Sequence, residues 1–206
     1  MVAGLAAQHG EKRTVMIDAT YLKVHRTASS LGAKKGGSRL IGRTKGGMNT
    51  KLHAVCDSLG RPLNLFVTAG QVSDCIGSRA LCGSLPDGGR LLGDRGYDAD
   101  WFREALKGKG IRACIPGRKQ RKTTVKYDKR RNRIEIMFGR LKDWRRVATR
   151  YDRCPKVFLS AITLAVIHAT QRKSMGPDPI ATRSARRCLR RSRGLPLPRP
   201  PTESCA

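Results

Sequence analysis

The chain has 206 residues, with 43 lysines and arginines against 15 aspartates and glutamates, for a formal net charge of +28. A hydrophobic share of 39% supplies one domain with a true core, and the length does not comfortably supply two. Such a charge excludes an ordinary small-molecule enzyme surface. It predicts salt-sensitive attraction to a polyanion, most simply nucleic acid, with a membrane surface as the lesser alternative. No apolar run approaches the ~20 residues of a spanning helix, so no membrane insertion is expected. The seven cysteines show no Cys-x-x-Cys or Cys/His metal spacing. They read as reduced thiols of a cytoplasmic protein.

Residues 1–13 read as a loose lead-in without the charged start of a signal peptide. Thr14 to Val24 is short, apolar and β-rich, which predicts a buried strand carrying Asp18 at its middle. A carboxylate there is costly unless it is paired or coordinates a cation. Residues 26–48 form a Gly-rich basic loop without the spacing of a phosphate loop. Its Lys34, Lys35, Arg39, Arg43 and Lys45 are candidate contacts to a phosphate backbone, or simply solvated charge. Residues 49–57 and 62–69 are strand-like and joined by a turn at 58–61, a hairpin in which His53 faces outward as an ordinary residue.

A helix is predicted over 74–85, capped by Asp74. A fourth strand then ends at Asp94, before a Gly turn, where open α/β sheets collect ligands. A turn aspartate with no further role is the bland alternative. A helix follows from about Asp98 to Lys109, with Asp98 or Asp100 as N-cap, and 111–116 reads as a fifth strand. Residues 117–133 are a basic lead into an amphipathic helix at 131–142. Its apolar stripe is Ile134, Met137, Phe138, Leu141 and Trp144, while Arg131, Glu135 and Lys142 lie within ~40° of each other at the edge. A solvated i,i+4 ion pair is the plain reading of that trio. Residues 145–153 read as another basic loop. Pro155 opens an apolar helix with Val157, Leu159, Ile162, Leu164, Val166 and Ile167 as core. From about Lys173 the chain is Arg/Pro/Ser-rich and reads as disordered. The expected organisation is a lead-in at 1–13, one domain at 14–172 and a tail at 173–206. The fold class is α/β, a mixed five-stranded sheet flanked by helices.

Asp18, Asp94 and Glu135 come from three separate elements of an otherwise basic protein. That pattern suits two-metal phosphoryl transfer: the basic surface gathers a polyanion, and the carboxylates hold two Mg²⁺ ions ~3.5–4 Å apart.

The segments VMIDATYLKVHR, IGRTKGGMNTKLHAV, LLGDRGYDADWFR and RNRIEIMFGRLKDWRRVATRYDR resemble the DDE-type transposases of bacterial insertion sequences, in the insertion-sequence-five family. The resemblance covers roughly residues 12–168. It implies an RNase H-like fold and DNA strand cleavage and transfer at element ends. It puts the metal-binding catalytic triad on Asp18, Asp94 and Glu135, with Mg²⁺ as cofactor and Mn²⁺ able to substitute. Arg131 and Lys142 match the cations of the family's Tyr-x-x-Arg-x-x-x-Glu-(six)-Lys signature, which grip DNA phosphate; Arg43, Lys45 and Arg95 are counted with them as DNA contacts. The signature's Tyr position is Asp128 here, with Tyr127 beside it. The implied partners are element-end and target DNA, further copies of the chain on that DNA, and a separately encoded N-terminal part, since Asp18 lies so near the start. The implied location is the bacterial cytoplasm, at the nucleoid. Three other readings compete: a decayed, inactive fragment that only binds DNA, an RNA-associated basic protein, and an RNase H-type nuclease. The tail reads as an out-of-frame product or as an added DNA-binding arm.

Overall fold

A computed structural model of the chain describes residues 14–30, 39–118 and 128–174. The expectations for residues 1–13, Lys34, Lys35, Tyr127 and the tail beyond 174 lie outside the described residues.

All five expected strands form: β1 (Thr14–Val24), β3 (Gly47–Asp57), β4 (Pro62–Ala69), β5 (Arg90–Leu92) and β6 (Arg112–Cys114). Two short strands that the sequence reading did not anticipate, β2 (Gly42–Thr44) and β7 (Thr149–Arg150), raise the sheet to seven. The order along the sheet is β2-β3-β1-β5-β6, with β4 also on β3 and β7 also on β1. β1 pairs antiparallel with β3, from Val15–Asp57 to Lys23–Asn49. β4 and β2 share the outer edge of β3, both antiparallel to it. β5 and β7 run parallel to β1, and β6 parallel to β5. The sheet is mixed and flanked by helices, the α/β class expected from the sequence. The β3–β4 hairpin closes on Asp57, whose carboxylate accepts from the amides of Leu59 and Arg61 and from Arg61 Nε at 2.6 Å. Gly60, at φ +78°, supplies the left-handed residue of that turn.

Strand alternation splits the core between the two faces of the sheet. On one face Met16, Leu22, Leu52 and Ala54 meet Ile134, Met137, Phe138 and Leu141 of α4 (Asn132–Lys142), with Phe158 and Ile162 of α6 (Pro155–Ser174). On the other, Val15, Ile17 and Val55 meet Leu81 of α2 (Asp74–Cys82), and Phe102 and Leu106 of α3 (Asp100–Gly108). Each buried Val, Leu, Ile, Met or Phe among these contributes ~1.5–3 kcal/mol. Among the described residues, no helix is long and apolar enough to cross a membrane. By its contacts the chain divides into residues 1–169 and 170–206, and the described part of the second unit is the end of α6.

Several local expectations are corrected. Ser73, not Asp74, caps α2, accepting from Ile76 N, because Asp74 is engaged with Lys51 at 3.0 Å. α3 begins at Ala99–Asp100 with no side-chain cap; Asp98 is instead buried against Arg103 at 2.7 Å. His53 is fully buried, stacked on Phe66 and bonded to Thr68 Oγ1 at 2.9 Å. α2 crosses that spot through Gly77, where a Cβ would meet the His53 ring at 2.2 Å, so a small residue there admits the imidazole. Burial holds the imidazole neutral, with a pKa lowered to about 4.

The basic loop expected at 145–153 is partly ordered as α5 (Arg145–Ala148) and β7. Within it Arg150 is wholly buried, bonded to Thr50 Oγ1 at 2.7 Å and to the carbonyls of Asp152 and Arg153, over the Phe158 ring. Trp144 leaves the α4 stripe and is 40% exposed, because that helix stops at Lys142. Val157, Leu164 and Ile167 face out of α6 rather than into the core; Ile162 and Val166 face in. Arg39, counted as a phosphate contact, turns its Nη1 to the carbonyls of Ser29 and Ser30 at the end of α1 (Arg26–Ser29).

Candidate active site

The site begins with a register. β1 and β5 are parallel neighbours, paired from Thr14–Arg90 to Met16–Leu92. Asp94 stands two residues past the end of β5, near enough to Asp18 on β1 that its charge raises the pKa of that carboxylate. Even-numbered residues of β1 face α4, so Asp18 and Thr20 lie on the side from which Glu135 approaches. Asp18 Oδ1 accepts from Ala19 N at 2.8 Å. Asp94 caps the 3-10 turn Arg95–Tyr97, accepting from Gly96 N. A Cβ at Gly96 would stand 3.1 Å from Asp74 Oδ2 and 3.4 Å from Asp94 Oδ1, so the glycine leaves room for two carboxylates at one turn.

Glu135 arrives on the first turn of α4, exposed, with the helix anchored beneath it by Ile134 and Phe138. Arg131 joins the elements: its Nη2 lies 3.4 Å from Asp94 Oδ2 and 3.9 Å from Glu135 Oε1. Two turns beyond Glu135, Lys142 Nζ donates to Thr20 Oγ1 at 2.7 Å, reaching β1 two residues from Asp18. Asp128, at the signature's Tyr position, caps the 3-10 turn Lys129–Arg131 by accepting from Arg130 N at 2.9 Å. The residue has a local duty in delivering the helix.

Electrostatics tie the group together. Burial raises Asp18 to about 6; the Ala19 amide and Arg131 pull it down, and Asp94 and Glu135 push it up. The hydroxyl of Tyr97 is buried, without a hydrogen-bond partner among the described residues. Burial and then the charges of Asp74, Asp18 and Asp94 push its pKa well above the usual tyrosine range. Tyr97 and Asp74 are the neighbours of the trio that sequence reasoning missed. A Tyr three residues past a candidate ligand was the available signal for the first; for the second, the N-cap reading concealed it.

Asp18, Asp94, Glu135, Arg131 and Lys142 are thus brought to one face of the sheet. Arg95 stands exposed in the turn directly after Asp94. Arg43 and Lys45 are not part of this group. They are exposed at the β2–β3 hairpin, where Arg43 pairs with Met48, beside the far end of β1. At ~3.3 Å per residue that is roughly 20 Å from Asp18. As a donor set, three carboxylates suit a hard divalent cation. Arg131 lies against Asp94 and Glu135, and no three acidic, His or Cys groups among the described residues converge closely enough to hold one ion.

Comparison with known proteins matches residues 9–169 to the Transposase DDE domain family. The chain is 35% identical over 124 residues to the "Putative transposase for insertion sequence element IS6501" of Brucella ovis, covering 57% of this chain and 95% of that one. Among solved structures it is similar to the piggyBac transposase synaptic complex with hairpin DNA (TM-score 0.48, 10% identity, 80% of this chain and 48% of that one). It is also similar to the Mos1 transposase paired-end complex (TM-score 0.31, 14% identity, 75% of this chain and 55% of that one). The chain spans about half the length of those solved chains. The family match extends over most of the sequence, and the chain belongs to the Transposase DDE domain family.

Proposed function

We propose that this chain is the catalytic part of an insertion-sequence transposase of the insertion-sequence-five type, which cleaves and transfers DNA strands at the ends of its element in a Mg²⁺-dependent reaction. The observation that carries this reading is the grouping of three carboxylates: the charges of Asp94 and Glu135 both act on Asp18, and Arg131 links Glu135 to Asp94. Asp18, Asp94 and Glu135 would hold the cations. When bound, divalent cations (Mg²⁺, or Mn²⁺ in its place) activate the attacking oxygen and offset charge on the leaving 3′-oxygen. The raised pKa of Asp18 favours this use: its carboxylate is poorly compensated by the protein and gains from a cation. Lys142 and Arg131 hold the phosphate chain near Asp18, while Arg95, Arg43 and Lys45 extend the basic track away from it. The chain works as an oligomer on element-end and target DNA at the bacterial nucleoid, with a separately encoded N-terminal part where the element divides its transposase.

The test is nicking of a supercoiled plasmid that carries the element ends. The chain, with its N-terminal partner added where one is encoded, should nick in Mg²⁺ and not in EDTA. Asp18→Asn and Glu135→Gln should abolish nicking while retaining the plasmid on a filter. Full activity in either variant removes the triad; no nicking by the parent under these conditions removes the enzyme reading.

A further inference from the structure

Arg131 stands where the 3-10 turn Lys129–Arg131 passes into α4. Its Nη2 atom serves two carboxylates at once, Asp94 at 3.4 Å and Glu135 at 3.9 Å. Both contacts are longer than the ~2.7–2.9 Å of a good charge-assisted hydrogen bond, and neither is a bidentate fork. The Nε of Arg131 is buried without a hydrogen-bond partner among the described residues. The guanidinium is therefore held by opposite charge and by burial rather than by fitted geometry. Arg103 shows the alternative: 2.7 Å from Nε to Asp98 Oδ1 and 2.9 Å from Nη2 to the Ile115 carbonyl. The Arg131 side chain keeps 20% of its surface exposed, so rotation about its own torsions leads to solvent.

We propose that Arg131 is an exchangeable counter-ion, seated on Asp94 and Glu135 until a divalent cation takes those oxygens, and then free to grip a DNA phosphate. The inference rests on the reading of Asp94 and Glu135 as metal ligands. Divalent cations that bind at Asp94 Oδ2 and at Glu135 Oε1 compete with the guanidinium for the same lone pairs. The carboxylates stay compensated before and after the exchange, and an arginine is released beside the place where phosphate must lie. Divalent cation and DNA therefore bind with positive coupling, and by linkage each tightens the other by the same factor.

The test uses the full chain, Mn²⁺ as the metal, and a short DNA duplex lacking the element ends, so that nothing is cut. Free Mn²⁺ is read by electron paramagnetic resonance. In the parent, the duplex should tighten Mn²⁺ binding about tenfold. Arg131→Gln should bind Mn²⁺ about tenfold tighter than the parent without DNA, and the duplex should then change its affinity by less than about twofold. Equal or weaker Mn²⁺ binding by the variant, or undiminished coupling, overturns the proposal. Arg131→Met carries the same expectations and replaces the Gln variant if circular dichroism shows that one unfolded. Asp94→Asn separates the two readings: if it binds Mn²⁺ as the parent does, the metal-ligand assignment fails, whatever Arg131 does.

Discussion

Asp94 and Asp98 flank the same short turn, Arg95–Tyr97, and differ in how their oxygens are used. Asp98 is 2% exposed, with Oδ1 on Arg103 Nε at 2.7 Å and Oδ2 on Arg118 N at 2.7 Å. Arg103 in turn bonds the Ile115 carbonyl, so the pair fastens α3 to the strand that follows it. Asp94 spends one oxygen on the Gly96 amide and leaves the other to a long contact with Arg131, its side chain 44% exposed. The same contrast separates Asp57, saturated by the hairpin it closes, from Asp18, which has one local amide and a raised pKa. A saturated carboxylate holds the fold. An unsaturated one beside other carboxylates stores affinity for a cation.

The contrast breaks most visibly at Asp98. Asp98→Ala leaves Arg103 without its partner and should destabilise the protein by about 3 kcal/mol, read as a lower urea midpoint. A change within 0.5 kcal/mol, the ordinary scatter of surface substitutions, would show that the pair does not fasten α3.

Asp18 should behave in the opposite way. Its folded pKa, near 6, lies above its ordinary value of 3.8, so the stability it lends is complete below pH 3.8 and lost as pH rises through 6. Asp18→Asn should therefore be more stable than the parent at pH 7 in EDTA, by up to about 3 kcal/mol. His53 runs the other way. Its pKa falls from 6.5 to about 4, so its contribution is present above 6.5 and lost as pH falls towards 4. The two slopes oppose each other between about pH 4 and 6, and the parent should be flatter there than Asp18→Asn. A steeper parent curve would contradict the assignment.

Gly96→Ala acts within the turn that separates Asp94 from Asp98. The new methyl crowds Asp74 and Asp94 oxygens at 3.1 and 3.4 Å. Nicking should fall on the order of 10²-fold with a stability loss near 1 kcal/mol, because ligand geometry tolerates less displacement than packing does. Equal loss of stability and rate would place the effect in folding alone. The smallest effect belongs to Lys142→Ala, which should weaken DNA binding across sequences and reduce the salt slope by about one. An unchanged slope would leave Lys142 as a tie between α4 and Thr20.

Much of this was legible from the chain. The short, apolar, β-rich runs at 14–24 and 49–57 announced β1 and β3, and the apolar spacing of Ile134, Phe138 and Leu141 announced the buried face of α4. Asp18 stood out as a carboxylate in the middle of a buried strand, and Asp94 as one at a strand end before a glycine turn. What escaped were pairings that no local pattern announces. His53 looked outward because alternation does not reveal that Gly77 admits a ring beneath α2. Arg150 looked like loop charge, although Thr50, on a strand 100 residues earlier, receives it. Asp74 and Asp98 looked like helix caps because Asp is a common cap, while Lys51 and Arg103 are far away in sequence or hidden by the turn. Arg131 was readable as a helix-face neighbour of Glu135. Its contact with Asp94 was not, because the two are 37 positions apart in the sequence.

The division between open and saturated carboxylates is tested most directly by strand cleavage per folded molecule. Asp94→Asn and Asp98→Asn would be compared on the same element-end DNA in Mg²⁺, with the folded fraction of each measured by circular dichroism. Asp94→Asn should be fully folded and inactive. Asp98→Asn should be less stable, yet as active per folded molecule as the parent. Cleavage by folded Asp94→Asn at the parent rate, or an equal loss in both, would contradict the account.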